Sequence, residues 1–328
     1  MKKILLSILM LLLIILPLAG CTKSTENYAF GTYYSIEIEG KNAGKQINEI
    51  EILLKDLESK VSTSIIESDV NKINSAKANT PIVVSNLTAT LFNLSKDLYA
   101  KTKGAFNPAT FPLTELWCFA PSNYIGVANR IPSQEEINAL LPLCDFNLFS
   151  LEGNVIIKGL DNAKLDFGGI AKGYAADCAY EVIKNSNKAV LDIGRTFRVK
   201  GDITLMVADP RSNDFVAKAT LFDQSVATSG DYERYYFVNG KRYHHIIGRD
   251  GYPSGTNESS PIISATIVGE SATVCDALST ATLVLGYEES RPIIEEFGYS
   301  ALLLTENGYY VIGENIFDVI DQSRAKLN

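Results

Sequence analysis

Residues 165–177 read LDFGGIAKGYAAD, with two glycines between an apolar segment and a helix-forming one. Leu165 and Asp166 are predicted to lie at the end of a strand, and a helix is predicted to run through Lys172. Glycines at a helix start let backbone N–H groups approach a phosphate, and the helix dipole favours its negative charge. Lys172 adds a mobile cation nearby. The stretch therefore predicts either a phosphate-binding turn or a tight strand-to-helix turn with a solvated lysine.

Before this stretch, the sequence predicts one strand followed by helices. Residues 31–40 alternate between apolar and polar side chains, which is typical of a strand. Apolar residues then recur at helical spacing, at Ile47, Ile50, Leu54, Leu57 and Val61, and again at Leu87, Leu91, Leu94 and Leu98. Ser85 is a candidate N-cap for the second of these helices. Ser133 and Glu136 form a candidate capping box for a third.

After the stretch, the sequence contains more strands. Asn239 and Gly240 lie between two apolar runs and predict a hairpin, because both turn residues tolerate positive φ. A second such pair is Asn307 and Gly308. Long helices are predicted over residues 272–285 and 288–297. Antiparallel hairpins combined with long helices indicate an α+β fold, with mixed sheets and packed helices.

The N-terminus has the layout of a bacterial export signal. Lys2 and Lys3 precede an apolar run over residues 4–16, and small residues stand before Cys21. The run is too short to cross a bilayer comfortably, so it does not predict a transmembrane span.

Residues 18–21, LAGC, resemble the lipobox of bacterial lipoproteins, in which the cysteine is acylated. We therefore expect residues 1–20 to be a signal peptide, residues 21–28 a tether lipidated at Cys21, and residues 29–328 the functional domain. This predicts a lipid anchor in the bacterial cell membrane, on its extracytoplasmic face. The alternative is a plain signal peptide with an incidental cysteine.

Charge and cysteine content exclude several classes of protein. The formal net charge is −8, and loss of residues 1–20, which hold two lysines and no acid, takes it to −10. Such acidity argues against nucleic acid or anionic lipid as a binding partner. The other cysteines, which have no metal-binding spacing, are Cys118, Cys144, Cys178 and Cys275. Disulfides are possible in an exported protein but are not required in a chain of this length.

Asp276 and Thr280 stand four residues apart in a predicted helix, so their oxygens share one face. A carboxylate, a hydroxyl and a backbone carbonyl from elsewhere suit a hard cation such as Mg²⁺. The alternative is a helix-starting aspartate with a buried threonine, which is common.

The chain has two histidines, His244 and His245, which follow the turn at Asn239 and Gly240. Adjacent residues of a strand face opposite ways, so at most one of them points into a given site. A neutral imidazole accepts a hydroxyl proton near pH 7, which suits a general base. The alternative is a pair of structural or surface histidines.

Residues 104–117 read GAFNPATFPLTELW and combine Gly and Pro with aromatic side chains. Phe106, Phe111 and Trp117 have the flat faces that stack on a ring system, although packing in the core is the alternative.

Taken in order, these segments resemble the ApbE family of FAD:protein FMN transferases, many of which are bacterial lipoproteins. The resemblance covers about residues 30–286. Its pieces are FGTYY, STSIIESDVNKIN, GAFNPATFPLTELWCF, LDFGGIAKGYAAD, ATSGDYERY, HHI and DALSTA. Motifs that keep their order are far more specific than any one of them. The resemblance implies an ApbE-like, T-fold-like architecture.

The resemblance also implies a reaction and its residues. Contacts to FAD are implied for Phe30, Ala105, Phe106, Asn107, Asp166, Lys172 and Ile247. Magnesium would be bound by the Gly169 carbonyl, Asp276 and Thr280, and His245 would be the base. The implied reaction moves FMN from FAD onto a threonine of an exported flavoprotein and releases AMP.

The sequence departs from the family pattern at several positions. Ser64 replaces a common aromatic or amide residue, and Asn107 replaces the usual Asp. Arg195 occupies a glycine position of the DxGGN loop, and the HIIGRDGYP segment is one residue shorter and lacks a proline. Two alternatives therefore stay open: a Mg²⁺-dependent FAD pyrophosphatase, and a non-catalytic FAD-binding lipoprotein. Self-flavinylation is not expected, since residues 276–282, DALSTAT, lack the glycine of the acceptor motif.

Overall fold

A computed structural model describes residues 22–127, 130–256, 261–321 and 323–327. The predicted signal peptide and Cys21 lie outside these ranges. Within them, no helix has the length and apolar character needed to cross a membrane.

A nine-stranded sheet is the largest element of the fold. Numbered along the chain and given in spatial order, its strands are β1 (Thr22–Ala29), β2 (Thr32–Glu39), β6 (Lys188–Ile193), β7 (Thr196–Lys200), β10 (Ser225–Gly230), β13 (Ile262–Gly269), β14 (Ser300–Thr305), β15 (Gly308–Ile312) and β17 (Ala325–Lys326). Neighbouring strands are antiparallel except β15 and β17. β13 is buried along its whole length, so layers cover both faces of the sheet at its centre.

Three small sheets complete the strands of the described ranges. One contains β8 (Asp202–Ala208), β9 (Phe215–Phe222) and β16 (Phe317–Val319), and a second contains β3 (Ile82–Val83), β4 (Phe149–Glu152) and β5 (Val155–Lys158). The third is the hairpin of β11 (Tyr235–Val238) and β12 (Lys241–His244). Its turn residues have the expected positive φ, 52° at Asn239 and 77° at Gly240.

The helices include those that the apolar periodicity predicts. They are α1 (Ala43–Val61), α2 (Asp69–Ser75), α3 (Asn86–Lys101), α4 (Phe111–Leu116), α5 (Gln134–Leu140), α6 (Ala171–Ile183) and α7 (Ala272–Glu296). The Ser85 hydroxyl caps α3, and Ser133 with Glu136 forms the capping box of α5, as predicted. α7 has a non-helical residue at Gly286, where the two predicted helices meet. The α+β prediction is thus confirmed.

Two local predictions need correction. A hairpin does connect β14 to β15, but neither Asn307 nor Gly308 has positive φ. Gly308 is needed for a different reason, because a β-carbon there would lie 2.4 Å from the Ala325 carbonyl of β17. The stretch predicted as a tether also differs, since Thr22–Ala29 pairs along its whole length with β2. This pairing covers an edge of β2 that would otherwise present unpaired backbone groups.

The junction of α6 with α7 positions the residues of the predicted site. A β-carbon on Gly173 would lie 2.2 Å from the Ala272 carbonyl, so only glycine lets the two helices approach this closely. Asp177 of α6 then caps the start of α7. Its carboxylate accepts the N–H groups of Ala272 and Thr273 and the hydroxyls of Ser271 and Thr273, at 2.6–2.9 Å. The two helices are therefore fixed relative to each other.

Candidate active site

The backbone before the glycine turn is held by side chains and not by a strand. Asn74 donates to the Leu165 carbonyl at 2.8 Å and accepts the Leu165 N–H at 2.7 Å. Asp166 donates its N–H to the Pro108 carbonyl at 2.8 Å. The prediction that Leu165 and Asp166 end a strand is wrong, because these bonds satisfy the groups that a neighbouring strand would pair with.

A buried lysine, which the sequence analysis did not single out, supports the same segment. The Lys158 ammonium donates to the carbonyls of Asn74 and Ala163 at 2.8 and 3.0 Å. Burial lowers the pKa of Lys158. No short motif marks this residue, because its partners are backbone carbonyls, one nearby at Ala163 and one 84 residues away at Asn74.

The predicted turn brings a carboxylate and an ammonium group to the start of α6. The Gly168 N–H donates to Asp166 Oδ1 at 2.9 Å, and Lys172 Nζ donates to the Gly168 carbonyl at 3.0 Å. The Asp166 carboxylate therefore already accepts a hydrogen bond from one N–H group of the turn. A phosphate here would be bound by the remaining donors and by Lys172.

Gly169 lies beside two other predicted site residues. A β-carbon built on Gly169 would be 3.4 Å from Thr280 Oγ1 and 3.5 Å from the Phe106 ring. Thr280 Oγ1 is also 3.3 Å from the hydroxyl of Ser229, which in turn lies 2.8 Å from the hydroxyl of Ser279. Ser229 belongs to the ATSGDYERY segment, but the sequence did not indicate a role for its hydroxyl, which only this contact with Thr280 reveals.

Asp276 has a buried carboxylate that faces the start of α6. Its side chain is 4% exposed. Oδ2 accepts the Gly173 N–H at 3.0 Å, and Lys172 Nζ lies 3.4 and 3.5 Å from Oδ1 and Oδ2. The structure thus brings together Lys172 and Asp276, which are 104 residues apart in the sequence. Lys172 is the counterion of this buried carboxylate.

The donor set fits a magnesium ion. No group of three or more His, Cys, Asp and Glu side chains in the described ranges is arranged to hold a metal. A cation beside Gly169 would instead be bound by one carboxylate, from Asp276, together with a hydroxyl, a carbonyl and oxygens of water or substrate. Few protein ligands and a substrate phosphate are typical of Mg²⁺ sites. The Asp276 carboxylate is the chemical basis of the fit, since burial leaves it dependent on a cation.

The two histidines have different surroundings. His244 Nε2 lies 2.7 Å from the Ser254 carbonyl, and His244 Nδ1 lies 3.4 Å from the Ile246 N–H. His245 Nδ1 is buried, and it has no hydrogen-bond partner in the described part of the chain. His244 is therefore structural, and His245 keeps a nitrogen for other chemistry.

The His245 imidazole is neutral at neutral pH. Burial lowers its pKa well below the ordinary value of 6.5, and the positive charge of Arg234 lowers the pKa further. The His245 N–H donates to the Arg234 carbonyl at 3.1 Å, which holds the backbone of His245 beside the segment that follows β10. A neutral imidazole can accept a proton, so the role of His245 as the base stays a prediction.

The other predicted FAD contacts have distinct positions. Ala105 and Phe106 are buried, with Phe106 against the glycine turn. Asn107 donates to the Cys144 carbonyl at 2.7 Å and accepts the Ala109 N–H at 2.9 Å, so its amide group is engaged within the loop. Phe30 has φ of 54° in the two-residue turn between β1 and β2. Its N–H donates to Glu58 Oε1 at 2.8 Å.

Ile247 begins a short closed loop after the histidines. Ile247 and Pro253 form a bridge, and the Gly248 N–H donates to the Tyr252 carbonyl at 2.7 Å. Trp117 donates its indole N–H to the Gly251 carbonyl at 2.8 Å and stacks on Tyr243. Trp117 is therefore a core residue that supports this loop and not a stacking surface for a ligand.

Comparisons with known proteins agree with the sequence motifs. The ApbE family model matches residues 30–303. A FAD:protein FMN transferase of Vibrio cholerae is 28% identical over 318 residues, which cover 90% of this chain and 93% of the relative. One of Klebsiella pneumoniae is 30% identical over 264 residues, 78% of this chain and 80% of the relative.

A solved structure agrees in fold as well as in sequence. The crystal structure of the ApbE protein of Thermotoga maritima is 32% identical to this chain and superposes with a TM-score of 0.77. The superposition covers 87% of this chain and 94% of that protein. The family model, the relatives and the fold agree over most of the sequence, and the chain therefore belongs to the ApbE family.

Proposed function

We propose that this protein transfers the FMN part of FAD to a threonine of an exported flavoprotein and releases AMP, with Mg²⁺ bound by Gly169, Asp276 and Thr280. The observation that carries the proposal is the position of Lys172. This lysine pairs with Asp276 at 3.4 Å and donates to the Gly168 carbonyl at 3.0 Å. One ammonium group thus connects the predicted metal ligand with the glycine turn predicted to bind phosphate. The names of the relatives, FAD:protein FMN transferase, support the same reaction.

The reaction requires one bond to form and one to break at the phosphorus of the FMN half. The threonine oxygen of the acceptor attacks this phosphorus, and the pyrophosphate bond to AMP breaks. His245, which is neutral, accepts the proton of the threonine hydroxyl. The charge then passes to the phosphate of the departing AMP.

The acidic side of the site would hold the metal and the pyrophosphate. Magnesium, when bound, supplies positive charge that offsets the negative charge of the pyrophosphate. The Gly169 carbonyl, Asp276 and Thr280 would be its protein ligands. Lys172 pairs with the Asp276 carboxylate, which would be a ligand of the cation. Its contact with the Gly168 carbonyl puts the same ammonium group beside the turn that would bind a phosphate.

The rest of FAD would lie against the predicted contact residues. We propose that Phe30, Ala105 and Phe106 contact the flavin side of the molecule. The other residues that we propose to contact FAD are Asp166, Asn107 and Ile247.

Export and lipid anchoring at Cys21 are part of the proposal. The lipobox-like LAGC sequence, after two lysines and an apolar run, supports them. Because β1 begins at Thr22, a lipid on Cys21 would hold the globule directly at the membrane surface, with almost no free linker.

The transfer activity is tested with purified protein, FAD, Mg²⁺ and an exported flavoprotein that carries an acceptor threonine. We expect a fluorescent flavin band on the acceptor that survives denaturing electrophoresis. The Asp276→Ala variant should give no band, whereas Asp97→Ala, which changes an exposed aspartate of α3, should give a normal one.

Product analysis without acceptor separates transfer from hydrolysis. Accumulation of free FMN and AMP at the rate of the complete reaction would identify an FAD pyrophosphatase. A protein that binds FAD and yields neither the band nor AMP would be a non-catalytic FAD-binding lipoprotein, and the proposal would be refuted.

A further inference from the structure

The turn between β6 and β7 contains an arginine in an unusual conformation. Gly194 and Arg195 are its two central residues, with φ of 59° and 68°. Both φ values are in the left-handed region, where Gly and Asn are the usual residues of a two-residue hairpin turn. An arginine at the second position is strained by its β-carbon. Such strain persists when the surrounding structure holds it, and it occurs most often at functional sites.

The backbone of this turn is held on both sides. The Arg195 N–H donates to Asp192 Oδ1 at 2.9 Å, and the Arg195 carbonyl accepts the Thr228 N–H from β10 at 3.3 Å. Burial raises the pKa of Asp192 to about 6. Arg195 is therefore fixed at a defined place beside β10.

The guanidinium is oriented but remains accessible. Its carbon atom lies 5.0 Å from the centre of the Tyr232 ring, and one of its nitrogens lies 3.7 Å from Glu233 Oε1. The second distance is longer than a hydrogen bond. The side chain is 51% exposed. Arg195 thus presents N–H donors in a planar fork, which is the geometry that matches a phosphate or carboxylate.

The segment from β10 onward contacts Arg195 and also two parts of the site, the proposed metal ligand Thr280 and the proposed base His245. Thr228 contacts the Arg195 backbone, and the next residue, Ser229, contacts Thr280 of the proposed metal site. Tyr232 and Glu233 contact the Arg195 side chain, and the carbonyl of the next residue, Arg234, accepts the His245 N–H at 3.1 Å. Arg195 therefore lies beside the segment that runs from the metal ligands to the base.

We infer that Arg195 binds a phosphate of FAD, as a second cation that approaches the pyrophosphate from the side of β10. The inference rests on the proposed function, because it takes FAD as the substrate. It explains why this position holds an arginine despite the left-handed backbone. The glycine turn and Lys172 would contact the pyrophosphate from the start of α6, and Arg195 would contact it from the turn between β6 and β7.

Binding measurements with three probes test the inference without requiring transfer. FAD, ADP and riboflavin are titrated in the presence of Mg²⁺ by flavin fluorescence or calorimetry. Arg195→Gln loses a charged hydrogen bond to phosphate, so the affinity for FAD and for ADP is expected to fall by about 10- to 100-fold. Riboflavin, which has no phosphate, should bind as tightly as before. Arg195→Lys should recover part of the affinity, since it keeps the charge and loses the planar fork.

A glycine variant separates binding from folding. Arg195→Gly removes the guanidinium and also the strain at φ of 68°, so its melting temperature should rise while FAD and ADP affinity falls. Arg291→Gln is the matched control, because Arg291 pairs with Glu295 on the exposed face of α7. Its affinities should equal those of the unsubstituted protein.

The outcomes are distinct. Unchanged FAD and ADP affinity in Arg195→Gln would overturn this inference, as would an equal loss for riboflavin. An altered dependence on acceptor concentration with unchanged FAD affinity would also overturn it and would assign the guanidinium to a carboxylate of the acceptor. Failure of the unsubstituted protein to bind FAD would instead refute the proposed function.

Discussion

Two pairs of like residues near the site differ in how fully their polar atoms are hydrogen-bonded. Asp177 accepts bonds from two N–H groups and two hydroxyls at the start of α7, whereas Asp276 accepts one N–H and otherwise depends on its ion pair with Lys172. His244 has partners for both ring nitrogens, whereas Nδ1 of its neighbour His245 has none among the described residues. In each pair, the residue whose polar atoms are all hydrogen-bonded stabilises the fold. The other residue has polar atoms left to bind a ligand or a proton.

The largest expected effect separates the two histidines by activity. His245→Asn removes the proposed base and should slow transfer by about 10²- to 10⁴-fold, the usual range for a general base. The measurement is the initial rate of covalent flavin incorporation, with the melting temperature recorded for the same sample. A rate within a few-fold of the unsubstituted protein would contradict the role of His245.

The next effect separates the two aspartates by stability. Asp177→Ala removes the cap of α7 and leaves several donors without an acceptor, which should cost about 2–4 kcal/mol. The free energy of unfolding from urea titration checks this. The exposed control Asp97→Ala should change stability by no more than about 0.5 kcal/mol. An unchanged urea midpoint in Asp177→Ala would show that the cap contributes little.

A smaller loss of stability is expected at the structural histidine. His244→Ala leaves the buried Ser254 carbonyl without its donor, which should cost about 1–3 kcal/mol. Folded molecules of this variant should retain their transfer activity, since His244 is not the proposed base. Loss of activity without loss of stability would reverse the assignment of the two histidines.

The last prediction concerns the dependence of stability on pH. The pKa values of His244 and His245 are lowered in the native protein, chiefly by burial, from the ordinary 6.5. Below pH 6.5 the unfolded chain binds protons that the native chain does not, so stability should fall as the pH decreases from there toward the native pKa values. Each histidine contributes up to about 1.4 kcal/mol per pH unit in this range. In urea titrations between pH 5 and 8, the free energy of unfolding of His245→Asn should therefore decline less steeply with falling pH than that of the unsubstituted protein. Parallel curves for the two proteins would contradict a neutral His245 imidazole in the native state.

Local patterns in the sequence correctly predicted the helices and turns that are specified by residues close together in the chain. Apolar spacing predicted α1 and α3, and Asn239 with Gly240 predicted the turn before the histidines. Leu165 and Asp166 were assigned wrongly because the partners of this backbone, Asn74 and Pro108, belong to distant segments. Hydrogen bonds across such separations leave no periodic signal.

The same limit applies to the candidate site. Spacing placed Asp276 and Thr280 on one helical face, and the resemblance supplied the roles of both residues. Only the folded chain shows that Gly173 allows α6 to approach Ala272, and that Ser229 contacts Thr280. Close approach of two helices depends on their packing angle and on each other's side chains, so a single glycine does not reveal it.

The sequence by itself determined the family, the α+β class and most residues of the proposed site, because ordered motifs and local periodicity are written along the chain. The tertiary structure decided which polar groups are saturated. It assigned Asp177 and His244 to the fold, left Asp276 and His245 available, and placed the Arg195 side chain beside Tyr232 and Glu233. The physical reason is that hydrogen bonding and desolvation depend on neighbours brought together by folding, which no local pattern specifies.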